Sequence, residues 1–348
     1  MMKRMKALSL LSGGLDSALA AKIIKDLGIE VIGVNFYNGF CIENVHRQVR
    51  GPSRCYTPLK AGHSIGVPVK LINVADEYLR VVKYPEHGRG SAMNPCIDCR
   101  IFMLKEAKLL MEELGAEFVV TGEVLGQRPM SQHYRALMQI QEESGLGDRL
   151  LRPLSAKLLP DTLPVKKGWI DRDDLYDIKG RSRGRQLELA KRYRITAYSQ
   201  PAGGCCLLTE KRFGDRLRDA FTHKGKEEMR IEDFEILKAG RHFRLSKATK
   251  VIIGRDDHEN RFLEQFEEGR WKIMILDHPG PLALVEGDPA EGEEVQPQLE
   301  FAVRLTARYS DGKDEDRVRA VIERDGKAQM VEVEPLDPDD EWIKKARI

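Results

Sequence analysis

Ser12-Gly13-Gly14-Leu15-Asp16-Ser17 sits between an apolar run, Lys6–Leu11, and a stretch of helical periodicity, Asp16–Leu27, that ends at Gly28. Paired glycines at a strand-to-helix junction permit a tight turn and close approach of backbone to a ligand. The helix start that follows aims unpaired N–H groups and the positive end of its dipole at an anion. Ser12 and Ser17 add hydroxyl donors, and Asp16 is placed to hold magnesium or to act in acid–base steps. The loop lacks the Lys-Ser/Thr ending of a Walker A motif, so γ-phosphate transfer is disfavoured. The competing reading is a glycine-rich turn with serine as a helix cap.

Outward from this loop, strand and helix patterns alternate. Glu30–Phe36 and Val69–Val74 read as strands, Arg100–Leu114 as a helix stopped by Gly115, and Phe118–Thr121 as the next strand. Strands alternating with helices of this length predict an α/β, doubly wound parallel sheet. In such sheets ligands sit at the carboxyl ends of the strands. Residues 1–208 are expected to form this domain, with a smaller C-terminal α+β/β region beyond it. Residues 209–285 read as an α+β, possible RNA-binding region. The acidic, Pro- and Gly-containing run EGDPAEGEEVQP then reads as a linker. Residues 286–348 are expected to form a small β module, in which FAVRL is a strand and Asp325-Gly326 a hairpin turn.

The chain has 348 residues and a net charge of +2, so overall charge identifies no partner. No apolar run approaches the ~20 residues of a membrane span, and the basic-then-apolar start runs straight into the glycine loop with no cleavage site. A cytoplasmic protein with no membrane association is expected. Six cysteines in such a chain argue for metal or redox chemistry over a disulfide framework. Cys96 and Cys99 form a CxxC before a helix, where a thiolate is favoured. Pro201-Ala202-Gly203-Gly204-Cys205-Cys206 offers the best further thiol. A metal or cluster and a redox dithiol are both open on these residues alone. Cys41 and Cys55 read as buried structural thiols, and His63 and His87 as ordinary side chains.

The glycine loop resembles the SGGxDS signature of PP-loop ATP pyrophosphatases. Thr121-Gly122-Glu123 and Arg152-Pro153-Leu154-Ser155 fit related tRNA-modifying enzymes. Residues 6–215 resemble the catalytic domain of tRNA 2-thiouridine synthases through Asn94-Pro95-x-x-x-Cys99, Gly115-Ala116-Glu117 with Thr121-Gly122, and Gly204-Cys205-Cys206-Leu207-Leu208-Thr209-Glu210 with Phe213. The resemblance implies ATP bound by Ser12, Gly13, Gly14, Asp16, Ser17 and Gly122, with Mg2+, and adenylation of a uridine carbonyl with loss of pyrophosphate. Asp16, Cys99 and Cys206 become the catalytic candidates. Cys96 departs from the cluster-free members and matches iron–sulfur-dependent tRNA thiolases, implying a 4Fe–4S cluster on Cys96, Cys99 and Cys206, with Cys205 able to substitute for Cys206. The alternative is a persulfide on Cys206 resolved by Cys99.

The implied partners are tRNA and a sulfur donor, either sulfide or a cysteine desulfurase relay, and a homodimer is possible. Lys179 to Arg194 holds seven cations against the single anion Glu188, which makes Arg181, Arg183 and Arg185 RNA-binding candidates. Gly240-Arg241-His242-Phe243-Arg244, with Arg255 and Arg261, is a second candidate; its Phe could stack on a base or face inward in a strand. Two rivals stand beside this reading. One is a PP-loop sulfur-inserting enzyme acting on a small molecule, and the other a non-catalytic, redox-sensing RNA-binding protein.

Overall fold

The structure is a computed structural model that describes residues 5–51, 58–198, 206–287 and 295–348. It divides into two compact units, one holding residues up to Cys41 and from Arg54 to Cys206, the other Ile42–Ser53 and Leu207–Ile348.

The first unit is built on β1 (Lys6–Leu10), followed by α1 (Leu15–Asp26) and β2 (Glu30–Tyr37). The next helix, α2 (Ile42–Arg50), belongs to the second unit. The chain then forms α3 (Pro58–Ser64), β3 (Val69–Asn73), α4 (Ala75–Lys83), α5 (Cys96–Glu113), β4 (Phe118–Val120), α6 (Tyr134–Glu143), the short β5 (Leu150–Leu151), α7 (Leu163–Lys166) and α8 (Gly184–Arg192). All four strand pairings are parallel, in the order β3-β2-β1-β4-β5.

Period-two alternation assigns the strand residues to two cores. Ala7, Phe118 and Val120 join the cluster formed with Leu15, Leu19 and Ile23 of α1 and Leu189 of α8. Leu8, Val34 and Val119 join the opposite cluster with Ile101 and Leu104 of α5 and Ile140 of α6. Helices therefore cover both faces, as the alternating pattern predicts. The winding runs from β1 to β2 to β3, then returns to β4 on the other side of β1. The switch point thus lies between β1 and β4, whose carboxyl ends carry Ser12–Ser17 and Thr121-Gly122-Glu123.

The second unit adds α9 (Lys211–His223), α10 (Ile231–Ile236), β6 (Arg241–Arg244), β7 (Lys250–Ile253), α11 (Asp257–Glu264), β8 (Trp271–Ile275), β9 (Ala283–Glu286), α12 (Val295–Arg308), β10 (Val318–Arg324), β11 (Lys327–Val333) and α13 (Glu341–Ala346). Its strands form one six-stranded sheet, β11-β10-β8-β9-β7-β6, with antiparallel pairings throughout. The β10–β11 hairpin turns at Asp325 and Gly326, both at positive φ, as expected.

Two expectations are corrected here. FAVRL is not a strand but the middle of α12, where Ala302, Val303 and Leu305 are fully buried against the sheet. The last 60 or so residues do not make a module of their own either: β10 pairs with β8, so the boundary drawn at 286 runs through the sheet. The linker expected there falls largely on residues 288–294, outside the described residues.

Candidate functional site

At the end of β1 the chain turns through Gly13, whose φ of +84° is one that a side chain disfavours. Ser17 Oγ donates to the Gly14 carbonyl at 2.9 Å and accepts from the Ser12 backbone N–H at 3.2 Å. Ser17 is thus a brace that closes the loop, while the Ser12 side chain stays close by at 3.2 Å. From β4, Gly122 comes up against the first turn of α1: a Cβ there would lie 2.4 Å from the Asp16 carbonyl carbon and the Ser17 nitrogen. That contact is why the residue after Thr121 carries no side chain.

Asp16 lies at the mouth of this loop. Its Oδ2 accepts from Gln127 Nε2 at 2.7 Å and meets Arg183 Nη2 at 3.5 Å. Its Oδ1 is buried and has no hydrogen-bond partner among the described residues. An open carboxylate oxygen is the kind of ligand that would hold a hard divalent cation such as magnesium. Arg183, expected on an RNA surface, is therefore drawn to the nucleotide loop. Of its neighbours, Arg181 is exposed and Arg185 pairs with Asp177 at 2.5 Å.

The two weaker motifs meet. Arg152 and Glu123, each 2 % exposed, form a buried ion pair at 2.9 Å. Arg152 also donates to Gln141 Oε1 and the Leu137 carbonyl. Burial alone would raise the Glu123 pKa, but the Arg152 and Arg100 guanidinium groups hold it below the ordinary carboxylate range. Arg100 reaches Glu123 Oε1 at 3.6 Å and directly follows Cys99. A continuous line of contacts therefore runs from the phosphate loop to the thiols: Asp16 against Gly122, Glu123 beside it, Arg100 across the ion pair, then Cys99.

Cys96 and Cys99 occupy the first turn of α5 and are half-buried, as is Cys206. A residue that carries no motif organises them. Tyr78 on α4 is 1 % exposed and its hydroxyl is hydrogen-bonded to Cys99. Burial raises the Tyr78 pKa well above its ordinary value, and the charges of Cys99, Cys206 and Cys96 push it further the same way. The phenol is thus bonded to one thiol and feels the charge of the other two, and it is held between the rings of Phe40 and Phe102 at 6.0 and 5.7 Å. Asn94 donates to Cys96 Sγ at 3.0 Å.

His87, assigned no role from the sequence, also acts here. Its ring contacts Asp98 at 3.0 Å and Glu143 at 3.0 Å, fixing the residue between the two cysteines. Cys41 is not the buried structural thiol expected: it is half-buried and its backbone pairs with that of Cys206. Cys55 and the Pro201–Cys205 stretch lie outside the described residues. Among the described residues, no group of three or more His, Cys, Asp or Glu is arranged to hold a metal. Cys96, Cys99 and Cys206 as placed are therefore not a ready ligand set for a cluster.

In the second RNA candidate the structure decides between the two readings of its Phe, in favour of the inward strand residue. Phe243 is fully buried in the sheet core, Arg244 is engaged by Asp219 at 2.7 Å, and Arg255 is engaged by Glu259. No helix among the described residues is long and apolar enough to cross a membrane.

Comparison with known proteins adds two matches. Residues 3–157 match the family described as thiamine biosynthesis protein (ThiI), and residues 240–344 match the NFACT protein RNA binding domain. A probable tRNA sulfurtransferase of Thermococcus kodakarensis is 35% identical over 126 residues, 35% of this chain and 30% of that protein. The tRNA-specific 2-thiouridylase MnmA of Deinococcus radiodurans is 28% identical over 127 residues, 34% of this chain and 32% of the relative. That of Dechloromonas aromatica is 27% identical over 304 residues, covering 80% of this chain and 77% of the relative. The chain thus spans about a third of the length of the first two relatives.

Proposed function

From the premise that residues 3–157 form a PP-loop domain of the ThiI type, as in the tRNA thiolases, we propose that the chain is an ATP-dependent tRNA sulfurtransferase. The observation that carries this reading is the line of contacts from Asp16 through Gly122, Glu123 and Arg100 to Cys99. It joins a nucleotide loop to a nucleophile, which activation followed by sulfur transfer requires.

ATP takes the Ser12–Ser17 loop, and Asp16 Oδ1 would hold the magnesium that neutralises its phosphates. The oxygen of a uridine ring carbonyl attacks the α-phosphorus and pyrophosphate leaves, giving an O-adenylated base. The terminal sulfur of a persulfide on Cys206 attacks the activated carbon and AMP departs. The Cys99 thiolate then attacks the Cys206 sulfur, forming a Cys99–Cys206 disulfide and releasing the thiocarbonyl. A cysteine desulfurase relay reloads Cys206 by handing over the outer sulfur of its own persulfide after a thiol reductant opens the disulfide; sulfide as donor instead attacks the Cys206 sulfur of the Cys99–Cys206 disulfide, expelling the Cys99 thiolate and leaving the persulfide on Cys206. Reaching a base within a folded tRNA requires extruding it, at a cost of a few kcal/mol. Exposed cations such as Arg181 and the RNA-binding-domain match at residues 240–344 support tRNA as the partner. The setting is cytoplasmic.

The test is wild-type protein with ATP, Mg2+ and tRNA, measuring pyrophosphate and the nucleosides of digested tRNA by mass spectrometry. Thiouridine and tRNA-dependent pyrophosphate are expected, and both should vanish in Asp16→Ala. Pyrophosphate release that survives Asp16→Ala would overturn the role of the loop. Pyrophosphate release that ignores tRNA would favour the small-molecule reading, which draws on the thiamine-biosynthesis description of the matched family.

The CxxC spacing of Cys96 and Cys99 favours the cluster as a second reading. Iron and acid-labile sulfide assayed after anaerobic purification decide between them. Iron-free protein that thiolates tRNA supports the persulfide; stoichiometric iron lost in Cys96→Ala supports the cluster.

A further inference from the structure

Arg183 belongs by sequence to the basic segment Lys179–Arg194, yet its surroundings differ from those of its neighbours. Arg181 is exposed, and Arg185 is half-exposed on Asp177. Arg183 stands at the start of α8 and turns back to Asp16, with Nη2 at 3.5 Å from Oδ2. A relaxed guanidinium–carboxylate pair closes to about 2.7–2.9 Å, often through two parallel bonds. This one stops at 3.5 Å, with Gln127 on the same oxygen at 2.7 Å and Asp16 Oδ1 left without a partner among the described residues.

The residues behind it are equally unspent. Gln186 is fully buried and donates to Gln127 Oε1 at 3.3 Å, while its own Oε1 has no hydrogen-bond partner among the described residues. The same holds for the buried Nε of Arg183 and for Asp16 Oδ1. Arg183, Gln127, Gln186 and Asp16 thus form one connected group at the phosphate loop. A guanidinium has five N–H donors, and the contact this one makes with Asp16 among the described residues is long. A polyanion seated on the Ser12–Ser17 loop carries several charges against the one on Asp16, so it is the stronger partner for that cation.

We propose that Arg183 is a catalytic residue for the nucleotide, donating to phosphate oxygens of ATP at the Ser12–Ser17 loop and staying with the pyrophosphate as it leaves. The contact with Asp16 is then the resting position of the side chain, and its transfer frees Asp16 for the metal. Arg183 is thereby removed from the RNA surface to which its sequence neighbours belong. The inference rests on the reading of the loop as the ATP site.

The experiment compares full-length wild type with Arg183→Gln, Arg183→Lys and Arg181→Gln. Affinity for a non-cleavable α,β-methylene ATP with Mg2+ is measured by calorimetry without tRNA. Affinity for tRNA is measured without nucleotide, kcat and KM are taken from pyrophosphate release, and Tm from the nucleotide-free protein. Arg183→Gln should slow pyrophosphate release about 10²–10³-fold, the loss seen when a donor to developing charge is removed. It should also weaken the ATP analogue while leaving tRNA affinity and Tm unchanged. Arg183→Lys, which keeps the charge without the fork, should fall between, and Arg181→Gln should do the reverse, weakening tRNA alone.

Arg183→Gln that lowers tRNA affinity and spares the analogue would return Arg183 to the RNA surface. If it lowers only Tm, Arg183 is a tether between α8 and α1, and the proposal fails. Should wild type release no pyrophosphate with tRNA, the sulfurtransferase reading fails, and analogue affinity still decides the role of Arg183.

Discussion

The pair Glu123–Arg152 concentrates more charge in less solvent than any other contact near the loop, since both side chains are about 2 % exposed. Removing one partner leaves the other buried and uncompensated, which typically costs about 3–5 kcal/mol. Glu123→Gln keeps the shape and should cost that much in urea unfolding at pH 7. The sign with pH follows from the lowered folded pKa. Glu123 contributes its full stabilisation above its ordinary value of 4.5, and the contribution is lost as pH falls through the lower folded value. The gap between wild type and Glu123→Gln should therefore be constant from pH 7 to 5 and shrink below 4.5. A gap that widens in acid would show that Arg152 is satisfied by other groups. Tyr78 supplies a neutral counterpart. Tyr78→Phe removes the hydroxyl bonded to Cys99 and should cost about 1 kcal/mol of stability, the net worth of one ordinary hydrogen bond. Its larger effect should be on thiouridine formation, with ATP affinity unchanged, because the phenol is bonded to Cys99.

Among the elements, β4 and α1 meet most tightly where Gly122 passes the first turn of the helix. A methyl group there would collide with backbone, at 2.4 Å from Asp16 and Ser17, and backbone cannot rotate aside. Gly122→Ala should displace the loop and abolish nucleotide binding by calorimetry, while far-UV circular dichroism stays that of the wild type. The strands β1 to β4 and the helices α1 and α5 were legible in the sequence because apolar period and glycine punctuation agree there, whereas α2, α3 and α4 between them were not read. Short windows misled. FAVRL alternates like a strand, but it lies within Val295–Arg308, where Pro297 falls in the first turn, the place a helix tolerates it. Phe243 among cations could read as a stacking platform or an inward strand residue, and its complete burial settles that it faces the core. Tyr78 left no signal at all: a tyrosine at a core position of an amphipathic helix is indistinguishable from packing until the cysteines are brought to it. The contact of Arg183 with Asp16 was not legible for a related reason. A charge run records which residues are basic, and the backbone turn at the start of α8 decides which of them looks inward.

Over the whole molecule, 57 lysines and arginines nearly balance 55 acids, so the RNA affinity that the proposed function requires depends on which cations the fold leaves exposed. The match to an RNA-binding domain at residues 240–344 spans the sheet from Arg241 to Val333, so that region acts as one piece. Its central arginines are nevertheless committed: Arg244 holds Asp219 through two bonds, and Arg255 holds Glu259. Releasing either to a phosphate would break a partly buried pair, whereas Arg181 gives up only water. Each cation that neutralises a phosphate adds about 0.7–0.9 to the slope of log affinity against log salt. Arg181→Gln should therefore flatten the salt dependence of tRNA binding by nearly that amount, at unchanged Tm. Arg244→Gln should leave the slope alone and lower Tm, since it removes the two bonds by which Arg244 of β6 holds Asp219 of α9 and leaves that carboxylate to Lys250 and His223. If instead Arg244→Gln flattened the slope, the phosphate would have to compete successfully with Asp219, and the sheet's paired arginines, not the exposed ones of Lys179–Arg194, would be the ones that hold the RNA.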